Sequence, residues 1–243
     1  MKICLAQTQP VTGNIPENIK SHLYFVQQAI ENGADLIAFS ELSLTGYEPE
    51  LAETLAMDLN DQRLDVFQKV SDQNKISILV GVPLRSENGI TINMIIYQPN
   101  QLRQVYSKKY LHPDETPFFV SGTNTIDYIG TDPKIGLAIC YEISVTEHEN
   151  QLMKENPDIY LASVAKFVAG IGPAQNRLTK LSKNYGVLAL MVNAVGPADD
   201  GICTGQSAVW DENGKMTDCL DSDKQGILIL DTKTRNVFRQ DID

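Results

Sequence analysis

The chain has 243 residues, 42% of them hydrophobic and 21% charged, enough for one large α/β domain or at most two small ones. Its net charge is −11 and its pI is near 4.7. That acidity argues against nucleic acid and anionic membranes as partners, since both call for positive surface.

Residues 2–7 (KICLAQ) read as a first strand. Gly13-Asn14 ends a turn, and Pro16 suits the first turn of a helix. Ile19, Leu23, Val26 and Ile30 then recur at helical spacing, with Gly33 as the stop. Residues 35–39 (DLIAF) form a short buried strand ending at Ser40-Glu41, followed by the loop LSLTGYEPE. Leu64, Phe67 and Val70 mark a second helix to about Asn74, and 76–82 (ISILVGV) is a third buried strand. Asn88-Gly89 is a hairpin signal followed by a strand over 90–97. Another strand at 101–106 leads into SKKYLHPDETPFF, and a short one is expected at 125–129.

Thr131-Asp132-Pro133 turns the chain into 135–139, a continuous apolar run of the kind buried on both faces. That run ends at Cys140, and after Ser144 the pattern turns helical, with Val145, Leu152 and Met153 on one face. Residues 158–164 (DIYLASV) repeat the strand pattern, and 167–173 read as a loop. Ala174, Leu178, Leu181 and Tyr185 are the apolar face of a further helix, and 187–195 (VLALMVNAV) is a strand. A Gly/Asp-rich loop at 196–204 precedes a second hairpin, 206–211 with 215–218. Residues 225–230 form the last strand, and 232–243 a short, polar, extended tail. Strands alternating with helices imply a layered α/β fold, and the hairpins make its sheets mixed. No low-complexity linker divides the chain, so a single domain over 1–243 is expected.

The four cysteines, Cys4, Cys140, Cys203 and Cys219, form no CxxC pair and no metal-ligand spacing, so no metal is expected. No Gly-Lys-Ser/Thr phosphate loop or complete dinucleotide fingerprint is present, so no nucleotide cofactor is expected either. The opening MKICLAQTQP lacks a secretory apolar core, and no apolar run approaches the ~18 residues of a membrane span. A soluble protein of the reducing cytoplasm is the expectation.

Three reactive residues stand at strand ends. Glu41 follows DLIAF, Lys108 follows QLRQVY after Ser107, and Cys140 ends IGLAIC. In α/β sheets, ligands bind outside the carboxyl ends of strands, where loops converge. Singly, Glu41 reads as a solvated loop carboxylate, Lys108 as a surface cation beside Lys109, and Cys140 as a small residue closing a core strand. Together they make a coherent chemistry. A carboxylate takes a thiol proton, the thiolate attacks a carbonyl, and an ammonium stabilises the oxyanion. The backbone N–H of Tyr141 supplies a second oxyanion donor. A thiol where a strand meets a helix N-terminus is also expected to have a lowered pKa. A Cys140–His112 dyad is the rival arrangement.

These segments resemble the nitrilase superfamily of carbon–nitrogen hydrolases, in an amidase-like, bacterial-type form. KICLAQTQP resembles the family's first strand, and FSELSLTGYEP the segment carrying its catalytic Glu, at Glu41. YSKKYLHPDE resembles the Tyr-x-Lys-x-x-Leu segment, which selects Lys108 because Leu111 lies three residues on. GLAICYE resembles the nucleophile segment, at Cys140, and GQSAVWDENG the later Gly-x-Ser strand and Asn-Gly turn. By the same resemblance, Glu115 matches a supporting Glu that orients the Lys or assists with water. The implied fold is a four-layer α-β-β-α sandwich with two mixed sheets, commonly paired as a homodimer. The implied activity is hydrolysis of a non-peptide carbon–nitrogen bond in a small linear amide. It passes through a cysteine thioester and releases acid and ammonia or amine. N-carbamoyl amine hydrolysis, nitrile hydrolysis, acyl transfer to an amine and a binding module with a retained pocket are the alternatives. The chain departs from the pattern at Glu142 and Ser144, where many members carry Asp and Arg, at Lys166 in SVAKF, and at Lys183-Asn184. Tyr47, at the base of the LTGYEP loop, and Lys166, as a pocket cation, are candidates for substrate binding.

Overall fold

The computed structural model describes residues 1–123 and 126–242. In chain order the first part runs β1 (Lys2–Gln7), α1 (Ile15–Glu31), β2 (Leu36–Phe39), α2 (Ala52–Leu55), α3 (Asp65–Asn74), β3 (Ser77–Ser86), β4 (Gly89–Tyr97) and β5 (Gln104–Ser107). The second part runs β6 (Tyr128–Ile129), β7 (Ile135–Ile139), α4 (Thr146–Met153), β8 (Ile159–Ser163), α5 (Val168–Tyr185), β9 (Leu188–Val192), β10 (Val195–Ala198), β11 (Gly201–Thr204), β12 (Ala208–Trp210), β13 (Met216–Cys219), β14 (Gln225–Asp231) and β15 (Val237–Ile242).

Two large mixed sheets result. The first has the order β15-β14-β1-β2-β3-β4-β5, and the second β13-β12-β9-β8-β7-β6. β1, β2 and β3 are parallel, as are β7, β8 and β9, with antiparallel partners flanking each trio. Period-two alternation explains the layers. In β1, Ile3 and Leu5 belong to the core that also holds Leu137, Leu161 and Leu190 of the second sheet. Cys4 and Ala6 turn the other way, with Phe25 and Val26 of α1 and Phe67 of α3. On the second sheet, Leu152 of α4 and Leu178 and Leu181 of α5 close the outer layer. Gly136 of β7 is bare there because a Cβ would meet Leu152 at 2.9 Å. Each such buried side chain contributes ~1.5–3 kcal/mol. The arrangement is a four-layer α-β-β-α sandwich.

Several expectations shift. Residues 167–173 are not a loop: α5 begins at Val168 and carries Pro173 inside it. Residues 187–195 break after Val192, and the Gly/Asp-rich stretch becomes the two-stranded β10–β11 hairpin. From Val237 the polar tail forms β15, an edge strand paired to β14 over six positions. Its polar faces suit an edge open to solvent, which hides a strand from a hydrophobicity reading. The strand expected at 125–129 is observed at Tyr128–Ile129; Thr125 lies outside the described residues. No helix among the described residues is long and apolar enough to cross a membrane.

Candidate active site

Each of the three strand-end residues is brought to the same place between the sheets. Glu41 follows β2 in a tight turn, its backbone N–H donating to Val164 O after β8, 3.3 Å away. Ser163 Oγ donates to Phe39 O at 2.8 Å, so the ends of β2 and β8 are tied across the sandwich. The turn presses on β3: a Cβ on Gly81 would stand 2.3 Å from Ser40 O. It is braced from outside by His22 of α1, a residue without a functional signal in the sequence. Its Nδ1–H donates to Asn18 O (2.7 Å), and its Nε2 accepts from Ser43 Oγ (2.9 Å). The ring stacks on Phe39. Burial holds His22 neutral, pushed down to about 3.

Lys108 leaves β5, its backbone N–H donating to Ile92 O at 2.8 Å. Its side chain is fully buried. Nζ donates to Glu41 Oε1 at 2.7 Å and to Glu115 Oε1 at 2.6 Å. Lys109 points elsewhere and pairs with Asp127. Glu115 is held in turn, accepting from His112 N (2.8 Å) at Oε2 and from Tyr47 OH (2.9 Å) at Oε1. Tyr47 thus commits its hydroxyl to Glu115, while its ring lines the cleft beside Phe167.

Cys140 ends β7 and opens a five-residue 3-10 turn, Cys140–Ser144, rather than a long helix. Its φ is +45°, a left-handed conformation that costs a non-glycine residue ~1–2 kcal/mol. The thiol donates to Ala165 O at 3.8 Å. Cys140 and Tyr141 line a cleft of about 550 Å³ together with Tyr47, Glu115, Lys166 and Phe167, and with His112, Glu50, Asp114, Asp199 and Asp200 at its walls. His112 packs edge-on against Tyr141, and its Nδ1 lies 3.3 Å from Asp114. The described thiol contacts are to Ala165 O and the Glu41 carboxyl, not to His112. Lys166 is gripped through its backbone by the buried Asn193, whose Oδ1 accepts from Lys166 N (2.8 Å) and whose Nδ2 donates to Lys166 O (3.0 Å). Asn193 sits in an apolar-looking strand and carried no signal. A second cleft, of about 650 Å³, lies at the opposite ends of β7, β8 and β9, near Asp132, Asn156 and Tyr185. No cluster of three or more His, Cys, Asp and Glu placed to hold a metal exists among the described residues.

The electrostatics follow from burial. Burial raises the Cys140 thiol to about 11, with Glu41 adding to it and Lys166 and Lys108 opposing. This corrects the expectation of a lowered thiol pKa: a short 3-10 turn offers little dipole, and desolvation outweighs it. Burial also raises Glu41, opposed mainly by the Lys108 ammonium. Glu41 Oε2 is buried without a hydrogen-bonding N or O partner among the described residues. For Lys108, burial works against the charge, but Glu41, Cys140 and Glu115 outweigh it and raise the group above the ordinary lysine range. Burial therefore favours the neutral thiol, and the Glu41 carboxyl lies between that thiol and the fixed Lys108 ammonium. That combination equips the site for concerted deprotonation and attack on a carbonyl.

The α-β-β-α sandwich thus gathers a cysteine, a lysine and carboxylates at its strand ends. The sequence profile described as carbon-nitrogen hydrolase matches residues 2–237, and the chain belongs to that family. The chain is 31% identical over 223 residues to a glutamine-dependent NAD(+) synthetase of Acinetobacter baylyi, an alignment covering 88% of this chain and 41% of that protein. It thus spans about two fifths of the synthetase it resembles. It is 24% identical over 249 residues to an (R)-stereoselective amidase of a Pseudomonas species, covering 100% of this chain and 89% of the amidase. The fold matches that of an amidase of Nesterenkonia sp. AN1 from the nitrilase superfamily, with a TM-score of 0.87 at 19% identity, covering 97% of this chain and 92% of that one.

Proposed function

We propose that this carbon–nitrogen hydrolase cleaves a small linear amide through a thioester on Cys140. The observation that carries the reading is the buried Lys108 ammonium, hydrogen-bonded to both Glu41 and Glu115 beside the cleft that holds Cys140. Glu41 takes the thiol proton as sulfur attacks the amide carbon. Lys108 Nζ and the Tyr141 N–H receive the oxyanion. Protonated Glu41 delivers its proton to the nitrogen, the C–N bond breaks, and ammonia or an amine leaves. Glu41 then takes a proton from water, and the hydroxide attacks the thioester. The C–S bond breaks, Glu41 returns its proton to the departing sulfur, and the acid leaves with the thiol regenerated. Glu115, fixed by His112 and Tyr47, holds Lys108 in place throughout.

Lys166 supports an acidic substrate class. Its ammonium lies close enough to oppose the raising of the Cys140 thiol, and no ion-pair partner for it occurs among the described residues. A free cation in the cleft supports a substrate bearing a carboxylate, an ω-amide of a dicarboxylic or amino acid. The glutamine dependence of the synthetase relatives supports glutamine as a member of the test panel. Substrate-dependent release of ammonia and acid is compared for aliphatic amides, ω-amides, N-carbamoyl amines and nitriles. Lys166→Met is expected to raise KM about tenfold or more for acidic amides while leaving neutral amides within twofold, an effect in keeping with one charge-assisted hydrogen bond. An unchanged KM profile refutes the role of Lys166. An adduct that turns over only with added amine makes the protein an acyltransferase instead, and no adduct with any amide makes it a binding module.

A further inference from the structure

Glu142 departs from the family pattern and lies fully buried two residues past the nucleophile. Its Oε1 accepts from Lys109 N at 2.6 Å and Tyr110 N at 3.3 Å. Its Oε2 accepts from Tyr106 OH at 2.6 Å and Ile139 N at 2.7 Å. One carboxylate therefore joins the residue after Lys108 to the residue before Cys140. The joined segments leave different sheets, β5 in the first and β7 in the second. Tyr106 is itself held: with its proton given to Glu142, its oxygen accepts from His148 Nε2–H at 2.9 Å. Burial pushes His148 down to about 4, so that ring is neutral and adds no second cation.

The proposed chemistry needs the Lys108 ammonium and the Tyr141 N–H within hydrogen-bond reach of one oxygen. Those two donors ride on the segments that Glu142 links, and Tyr141 stands between Cys140 and Glu142 in the same short turn. The positive φ at Cys140 gives that turn a tendency to relax, and the Ile139 N–H bond to Glu142 opposes it. We propose that Glu142 is a positioning residue that fixes the spacing between Lys108 and the nucleophile turn, acting through the backbone N–H groups of Lys109 and Ile139. A carboxylate that merely fills the core would affect stability alone. A positioning carboxylate affects reactions that pass through an oxyanion and spares those that do not.

This inference rests on Cys140 being the nucleophile of the proposed hydrolase, and its test is independent of the natural substrate. p-Nitrophenyl acetate acylates a thiol through a tetrahedral oxyanion: a C–S bond forms, the C–O bond breaks and p-nitrophenolate leaves as a burst. Iodoacetamide alkylates the same sulfur by displacing iodide, with no oxyanion. In Glu142→Gln the amide nitrogen faces either Ile139 N–H or Lys109 N–H, donor against donor. Glu142→Asp keeps the charge but is one methylene too short to hold both. In either variant the acylation rate is expected to fall ~100-fold, the cost of roughly 1 Å of misplacement. Alkylation, mapped to Cys140 by peptide mass, is expected to stay within threefold of wild type. Acylation within threefold of wild type overturns the proposal, as does a parallel loss of acylation and alkylation, or failure of both variants to fold. A wild-type protein inert toward every amide refutes the hydrolase reading, yet leaves the ester-to-alkylation comparison intact.

Discussion

Glu41→Gln separates base catalysis from thiol acidity. With the Cys140 thiol pushed up to about 11, its thiolate fraction at pH 7 is on the order of 10⁻⁴, against a few per cent for an ordinary cysteine. In the proposed mechanism, attack therefore depends on proton removal by Glu41 during the reaction. As proposed, the same carboxylate also protonates the leaving nitrogen and activates water, so its loss is predicted to fall at the upper end of general acid–base effects, ~10⁴-fold in kcat or about 5 kcal/mol of barrier. The fold should tolerate the change. Lys108 keeps its 2.6 Å bond to Glu115, and two buried carboxylates around one ammonium become one around one. The thiol is predicted to move the opposite way from activity. Glu41 is the largest electrostatic cause raising it after burial, so removing that charge lowers the thiol pKa. The pH midpoint for alkylation of Cys140 by iodoacetamide should drop below that of the wild type while amide turnover collapses. Turnover within tenfold of wild type, or an alkylation midpoint that rises, would refute the base assignment.

Lys108→Met leaves Glu41 and Glu115 buried without their shared cation, a loss of ~3–5 kcal/mol. For a chain of this size that lowers the melting temperature by roughly 6–20 °C at pH 7, and an unchanged melting temperature would contradict the ion-pair geometry. The buried histidines make stability fall with acid. Burial pushes His148 down to about 4 and His22 to about 3. Below about 6.5 the unfolded chain therefore binds protons that the folded chain does not, and stability declines from there toward those lower values. Imidazole resonances of both rings should stay flat from pH 8 to 5, and a midpoint near 6.5 for either would show it to be solvated.

The buried parallel strands were legible because β1, β2, β7 and β8 are short apolar runs, and such runs have little alternative to a sheet covered on both faces. The choice of Lys108 over Lys109 was legible only in its Tyr-x-Lys-x-x-Leu context, for neighbouring lysines carry the same chemistry. In the structure one is fully buried on two carboxylates and the other reaches Asp127. The thiol's raised pKa was not legible, because it depends on how completely Cys140 is enclosed, which no local pattern records. Nor were the supports. Asn193, His22 and Glu142 act on segments far away in sequence, and a polar residue within an apolar strand or helix shows its purpose only when its partners are in place. β15 was hidden for a different reason: an open sheet edge favours polar side chains, and these read as a tail.

Hydrolysis as proposed passes through a thioester at Cys140. Rapidly quenched intact-protein mass spectrometry with a turned-over ω-amide measures it directly. A transient acyl adduct is predicted, formed no slower than ammonia release, decaying with acid release, and located on the Cys140 peptide after digestion of the quenched protein. Ammonia and acid released with no adduct on Cys140, or an adduct confined to Cys203 or Cys219, would contradict it.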